Sequence, residues 1–309
     1  MKKTALCAMA LVVGFGMMCV SYFVLQSPQR KAWELKVAQD KAASQTASSP
    51  REGIERSGKA SLDPATRVPG GPFQLYMGGL ALLMAGGSGL FIRLYKYLSV
   101  RLPMAVLRDP LDPMQRYATL FVLLHIAFFG GMILFMELAF AAPDVQGSIL
   151  TLVKHEVLGG KGPLGAIGSA YLSKSIPLAA LVTVTANFLL GSLLVITVPA
   201  IVVPGAGLLV PAFRAAICGL TLAPTFAGLS GAMLPHSFTL LMEGEGYILA
   251  TFFGLLVPIY LFRTCEGPTI GARYCSALLL NVKGNLWILI VLAVSAIYEA
   301  TEVIIAKGL

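Results

Sequence analysis

Charge is what this sequence has least of. Of 309 residues, 12% are charged, about half the share usual in a soluble domain. That is too few for a chain whose whole surface meets water. Paired cysteines are missing too. The five, Cys7, Cys19, Cys218, Cys265 and Cys275, are scattered without a CxxC pair, so the spacing gives neither a disulfide framework nor a zinc ligand set. There is no Walker-type glycine loop, no HExxH, no GxSxG elbow and no pair of membrane aspartates of the intramembrane-protease kind. The usual nucleophile and metal classes of enzyme are therefore unsupported, and no cofactor is expected. The net charge of +8 comes without a nucleic-acid motif. Its basic residues instead flank apolar runs, where they set topology and meet anionic headgroups.

Long apolar runs are what the chain has in their place. It is 57% hydrophobic and its mean hydropathy is +0.79. Crossing about 30 Å of hydrocarbon takes about 20 helical residues, and the sequence supplies such runs repeatedly. The expected fold is all-α, a polytopic transmembrane helix bundle with about six to eight membrane helices, some broken by Pro or Gly. The bilayer is thus the first partner.

The order of segments follows from where the runs stop. Residues 1–25 open with Lys2 and Lys3 before an apolar stretch longer than a signal h-region, and 21–26 make a poor cleavage site. They read as an N-terminal membrane anchor. Residues 26–72 read as a polar tether, with a short helix near 30–43 dissolving into Ser, Gly and Pro. Residues 73–142 form a transmembrane hairpin, with spans at 73–98 and 117–142. Arg93, Lys96, Arg101, Arg108 and Arg116 in and around its connection favour the cytoplasmic side, hence a cytoplasmic N-terminus. Eight basic residues of the tether, among them Arg30, Lys36 and Arg67, weigh against that tally.

Residues 143–176 read as an extramembrane loop, and 177–309 as the transmembrane core. Pro199, Pro204 and Pro211 break the tract 177–242. A helix is expected over 177–203, then a Gly/Pro bend, then one or two shorter helices to about 233. Spans over 235–262 and 286–306 follow, with an interfacial loop between them that carries Arg263, Glu266, Arg273 and Lys283. Gly86-Gly-Ser-Gly89 lies within a span and reads as a helix-packing surface.

An ionisable group at a membrane helix centre costs at least about 2.5–3.5 kcal/mol on insertion scales, so it faces the bundle or a cavity. The candidates are His236, Glu243, Glu245, Glu299, Arg214 and Asn187, with Glu137 and His125 weaker and Glu302 close to the interface. Pro235 suits a first helical turn, which would put His236 at a helix mouth. Glu243, seven residues on, then shares its face. This is either a proton or ion site or an interhelical hydrogen-bond staple, with Gly244 and Gly246 allowing close approach. Glu299 is expected to pair with Arg214 or His236. Glu137 and His125 are twelve residues apart, rotated by about 120°, and should not form one site.

Leu234-Pro-His-Ser237, with a carboxylate further along and the Ala/Gly-containing continuation Tyr247–Leu255, resembles the stage II sporulation protein M family. Ala186-Asn-Phe-Leu-Leu-Gly191 is similar to that family's Asn-containing helix, and Ala293-Val-Ser-Ala-Ile-Tyr-Glu299 to its terminal helix. The resemblance covers about residues 177–309. Where the family pattern has Gly and Glu after the His, this chain has Ser237 and Leu240, and its acid comes one turn later at Glu243. The resemblance implies a polytopic membrane protein of a prokaryotic inner membrane, without settled biochemical activity. Its sporulation member works with cell-wall-degrading partners.

Three readings follow. The first is a non-enzymatic scaffold or subunit of an envelope complex, with other membrane or envelope proteins, or a second copy, as partners. The second is an ion- or proton-coupled transporter or channel-like protein with a polar site at His236, Glu243 and Glu299. The third, an intramembrane enzyme, has no nucleophile or metal set behind it. A wet cavity touching those residues would favour the second, and a dry, mutually satisfied network the first.

Overall fold

The computed structural model describes residues 2–44, 63–160, 162–203, 205–263 and 267–306. The architecture is an all-α helix bundle, with no strand among the described residues. Lipid offers no hydrogen bonds, so backbone polar groups must be satisfied within each span, and helices do this. Among the described residues, ten helices of ten residues or more organise the chain: α1 (Lys2–Val20, continued by a π turn, Ser21–Leu25), α2 (Ser27–Ser44), α3 (Gly70–Arg101), α4 (Ala118–Ala141), α5 (Pro143–Gly159), α6 (Pro163–Leu172), α7 (Ile176–Val202), α8 (Leu209–Leu222), α9 (Ala227–Phe262) and α10 (Ile270–Thr301, with a π tail, Glu302–Ala306). Six of those described are long and apolar enough to cross a membrane: α1 with its π turn, α3, α4, α7, α9 and α10 with its tail. The spans of α9 and α10 each run to 36 residues, about 54 Å of helix, so they tilt or project beyond the hydrocarbon.

Contacts fix the threading. Cys7 lies against Gly86 and Gly89, and Gly14 against Gly79, so α1 and α3 are antiparallel. The start of α1 therefore shares one face of the bundle with the 102–117 connection. On that face Lys283 Nζ meets Asp109 Oδ2 at 2.6 Å, Trp287 Nε1 donates to the Leu107 carbonyl at 2.8 Å, and Arg263 lies 5.1 Å from the Tyr117 ring. We call it the basic face. The opposite, helical face carries α2, residues 63–69, α5 and α6. Ser21 Oγ donates to the Pro72 carbonyl at 2.6 Å and Val68 N to the Thr225 carbonyl at 2.8 Å.

Several expected boundaries shift. Residues 143–176 are not an open loop. Pro143 and Pro163 each stand at the first helical position, where a missing N–H costs nothing, and two helices result. Gln146 of α5 is fully buried, donates to the Ala223 carbonyl at 3.0 Å and accepts from the Thr225 hydroxyl, fastening this layer to the bundle. The tether helix is longer than expected, filling Ser27–Ser44. The Ser/Gly/Pro-rich part of the tether, 45–62, lies outside the described residues. The described residues resume at Asp63, whose carboxyl the Lys36 ammonium holds below the usual carboxylate range.

Pro235 does not begin a helix. α9 starts eight residues earlier, at Ala227, and runs through both Pro235 and Pro258. Neighbouring side chains supply hydrogen bonds around the break. Tyr76 donates to the Ser230 carbonyl at 2.8 Å, Ser237 to Leu234 at 2.7 Å and Tyr298 to Pro235 at 3.1 Å. The expected interfacial loop is short as well, because α10 begins at Ile270 and Lys283 lies within it. Tract 177–242 otherwise divides near its prolines. α7 ends at Val202, Gly205 takes a left-handed φ of 88°, and the 14-residue α8 ends before Ala223.

The tightest helix pair is α1 with α3. A Cβ on Gly79 would come within 2.6 Å of the Gly14 carbonyl oxygen, and one on Gly86 within 2.6 Å of that of Cys7. Small residues let backbones approach this closely where no hydrophobic effect drives helices together. Gly79→Leu should therefore lower the thermal unfolding midpoint in detergent, at a cost of about 1–3 kcal/mol. Gly16→Leu, whose Cβ would meet nothing within 4 Å, should leave it unchanged.

Candidate functional site

Among the described residues, intramembrane ionisable side chains meet in three places, and the most buried involves a residue given little weight from sequence. His125 on α4 and Glu245 on α9 are 4% and 0% exposed, with Nε2 and Oε2 2.7 Å apart. Histidine Nδ1 lies 2.8 Å from the Phe121 carbonyl oxygen. A carbonyl only accepts, so Nδ1 carries a hydrogen. The short contact to Oε2 then needs one further proton, on either the ring or the carboxyl. Either placement leaves the pair with no net charge. Hydrocarbon depth demands this, since an unpaired charge there costs far more than a neutral pair. Phe121 stands edge-on to the imidazole, 4.6 Å between centroids, and Tyr95 of α3 places its buried hydroxyl beside the Glu245 carboxylate. Three helices thus converge on one carboxyl group.

The second place joins α7, α8 and α9. Arg214 NH1 donates to the Tyr247 hydroxyl at 2.6 Å, and that hydroxyl donates to Glu243 Oε1 at 2.6 Å. Guanidinium and carboxylate approach to 3.7 Å, and the guanidinium carbon sits 4.3 Å from the Tyr247 ring centroid, a cation–π arrangement. Room for the arginine comes from Gly191, where a Cβ would fall 2.6 Å from NH2. Gly191 belongs to the π-helical middle of α7, Ala186–Thr197. Such widened turns recur at functional sites. Ser192 and Thr197 of this stretch are buried with no hydrogen-bond partner for their hydroxyls.

The third place is the helical-face end of α9 and α10. His236 Nδ1 lies 3.4 Å from Glu302 Oε2, and the Thr239 hydroxyl donates to the same oxygen at 3.3 Å. Glu299 sits nearby, against the Tyr171 hydroxyl of α6 and within electrostatic reach of Glu243, His236 and Glu302. Tyr171 is in turn 3.2 Å from the Thr183 hydroxyl on α7.

These positions rearrange the sequence-based pairings. His236 and Glu243 share a helix but take different partners, Glu302 and Arg214. Arg214 pairs with Glu243, so the pairing of Glu299 with Arg214 is replaced. Glu299 meets His236 through space, while the imidazole bonds Glu302. Glu137 stays apart from His125 and accepts from Gln74 Nε2 at 2.9 Å near the helical face. Asn187 is half-buried in the π stretch. Sequence reasoning missed Tyr95, Tyr171 and Tyr247. Only Tyr247 had a local signal, its i, i+4 spacing from Glu243. No group of three or more His, Cys, Asp or Glu suited to a metal occurs among the described residues.

Comparison with protein-family models, with curated proteins and with solved structures gives no match.

A double-mutant cycle checks the most buried pair. Glu245→Ala or His125→Ala each leaves a buried polar group without its partner, at about 3–5 kcal/mol. The combined His125→Leu and Glu245→Met should unfold at a higher temperature than either single alanine variant. Simple additivity of the two losses would show that the groups do not act as a pair.

Proposed function

We propose that this chain is a non-enzymatic scaffold or subunit of an envelope complex in a prokaryotic inner membrane, of the kind its resemblance to the stage II sporulation protein M family implies. The observation that carries the reading is the pairing of intramembrane charge. His125 with Glu245, Arg214 with Glu243, and His236 with Glu302 each join different helices. Groups used to hold helices together make a fixed frame. The frame also carries a platform outside its spans. α2, α5, α6 and residues 63–69 are tied to the bundle through Gln146, Thr225 and Val68. That layer mixes Arg30, Lys31, Lys36, Lys154 and Lys174 with Glu34, Asp63, Asp144 and Glu156, a polar surface suited to other proteins.

Copurification from native membranes tests this reading. Stoichiometric membrane or envelope partners should accompany the chain, and Glu299→Gln should retain them. Recovery of the chain alone from gently solubilised membranes would sink the idea.

A second reading has its own observation. Glu243, Glu299, His236 and Glu302 interact electrostatically in series from mid-bundle toward the helical face, and Glu299 has no basic hydrogen-bonded partner among the described residues. A file of this kind suits a proton- or ion-coupled path. Proteoliposomes decide between the two. The scaffold reading expects no proton or cation flux above empty vesicles, whereas a flux abolished by Glu299→Gln establishes the path.

The two faces support an orientation. On the basic face Arg93, Lys96, Arg101, Arg108, Arg116, Arg263, Arg273 and Lys283 oppose Asp109 and Asp112 among the described residues, while the helical face is mixed. The positive-inside rule then sets the basic face, with the start of α1, in the cytoplasm. In a cysteine-free background, Ser148→Cys should react with an impermeant maleimide in intact spheroplasts, and Ser99→Cys only after permeabilisation. The reverse pattern would invert the topology.

A further inference from the structure

Where α4 begins and α9 ends, the basic face holds a groove of 420 Å³ lined by Tyr117, Leu120, Pro258, Ile259, Phe262 and Arg263. Its walls are apolar, and Phe262 is 82% exposed. Its mouth is not apolar. The Arg263 guanidinium lies 5.1 Å from the Tyr117 ring centroid, stacked where the last residues of α9 pass the first of α4. Stacking holds the planar fork in place while its N–H groups stay available to an outside acceptor.

We propose that this groove binds one anionic phospholipid from the bilayer, its phosphate on Arg263 and the upper part of an acyl chain along Leu120, Pro258 and Ile259. Three features select this occupant. The groove lies at the ends of two membrane-spanning helices, α4 and α9, where chain leaving the hydrocarbon meets headgroups. Its chemistry changes from guanidinium to aliphatic in that order. And it lies on the face with the excess of basic residues, which favours negative headgroups over zwitterionic ones. The groove between α7 and α10 makes the contrast. It has a similar volume of 430 Å³, but Ile176, Pro177, Ala180, Leu181, Val184, Ala293 and Ile297 line it, and nothing there tells one lipid from another. The proposal stands independently of the scaffold and transport readings.

Native mass spectrometry of the delipidated full-length protein, titrated with dioleoyl phosphatidylglycerol or dioleoyl phosphatidylcholine, tests it. The anionic lipid should bind about tenfold more tightly, the equivalent of one charge-assisted contact. Arg263→Gln, a change at an exposed side chain, should erase that preference. Leu120→Trp, which fills the groove, should weaken the anionic lipid even with Arg263 intact. Millimolar inorganic phosphate should not displace the lipid. Equal binding of the two lipids would overturn the proposal, as would a preference that survives Arg263→Gln. So would displacement by free phosphate, which would make the groove irrelevant to recognition.

Discussion

Inside hydrocarbon a carboxyl group has no water to solvate it, and Glu245 stands where that deficit is greatest. It meets the His125 imidazole 2.7 Å away, with the Tyr95 hydroxyl beside it. The ring's other nitrogen is committed to the Phe121 carbonyl, so the ring can neither turn nor withdraw without exposing an unmet donor. α4 and α9 are thereby fixed to one another at a single height and rotation. Much of the remaining packing follows from that registration. Gly244, beside this pair, leaves room for the rings of Phe128 and Phe129, and Gly246 on the other side receives Leu292 of α10. A larger residue at either position would move α9 away from the helices that Glu245 must reach.

The same logic explains why Arg214 sits where it does. α8 is too short to cross the bilayer and carries a guanidinium into the bundle. The charge is tolerable because α9 offers a carboxylate and a phenol one turn apart, and because α7 loosens into a π-helical stretch with a glycine at the contact. The irregular backbone and the buried charge are one feature. An α-helical α7 with alanine at 191 would place a methyl group in the space the guanidinium occupies.

Much of this was legible in the sequence, and what was legible is what lipid dictates locally. Hydropathy and length mark the spans, because solubility in hydrocarbon is a property of consecutive residues. The glycine run at 86–89 announced close packing for the same reason. The partner of that run, α1, could not be read, since which helix a small-residue stripe meets depends on threading. Proline misled at 235, which read as a helix start. At 235 an interior proline is tolerated because Tyr76, Ser237 and Tyr298 supply hydrogen bonds around it, and two of these come from distant helices. The stretch 143–176 read as a loop from its polar, glycine-containing composition, yet Pro143 and Pro163 start helices there. The acid–base pairings were least visible. His125 and Glu245 are 120 residues apart, and helical spacing carries information only over a few turns.

The two faces of the bundle answer different demands, and this bears on what the molecule is for. On the basic face the connections are short and pinned down by Lys283 to Asp109, Trp287 to Leu107 and Arg263 over Tyr117. Little backbone there is left for a soluble partner, and the positive charges are spread along a rim that meets headgroups. On the helical face three helices and the end of the tether are layered over the spans. They are anchored by a buried glutamine, which a layer with no structural role would not need. If the basic face sets the molecule in its membrane, the proposed scaffold role falls to the helical face. His236, Glu299 and Glu302 lie directly beneath that second face, next to Tyr171 of the platform itself. A displacement of α6 would therefore move the hydroxyl against Glu299, which couples the outer helical layer to the polar side chains beneath it.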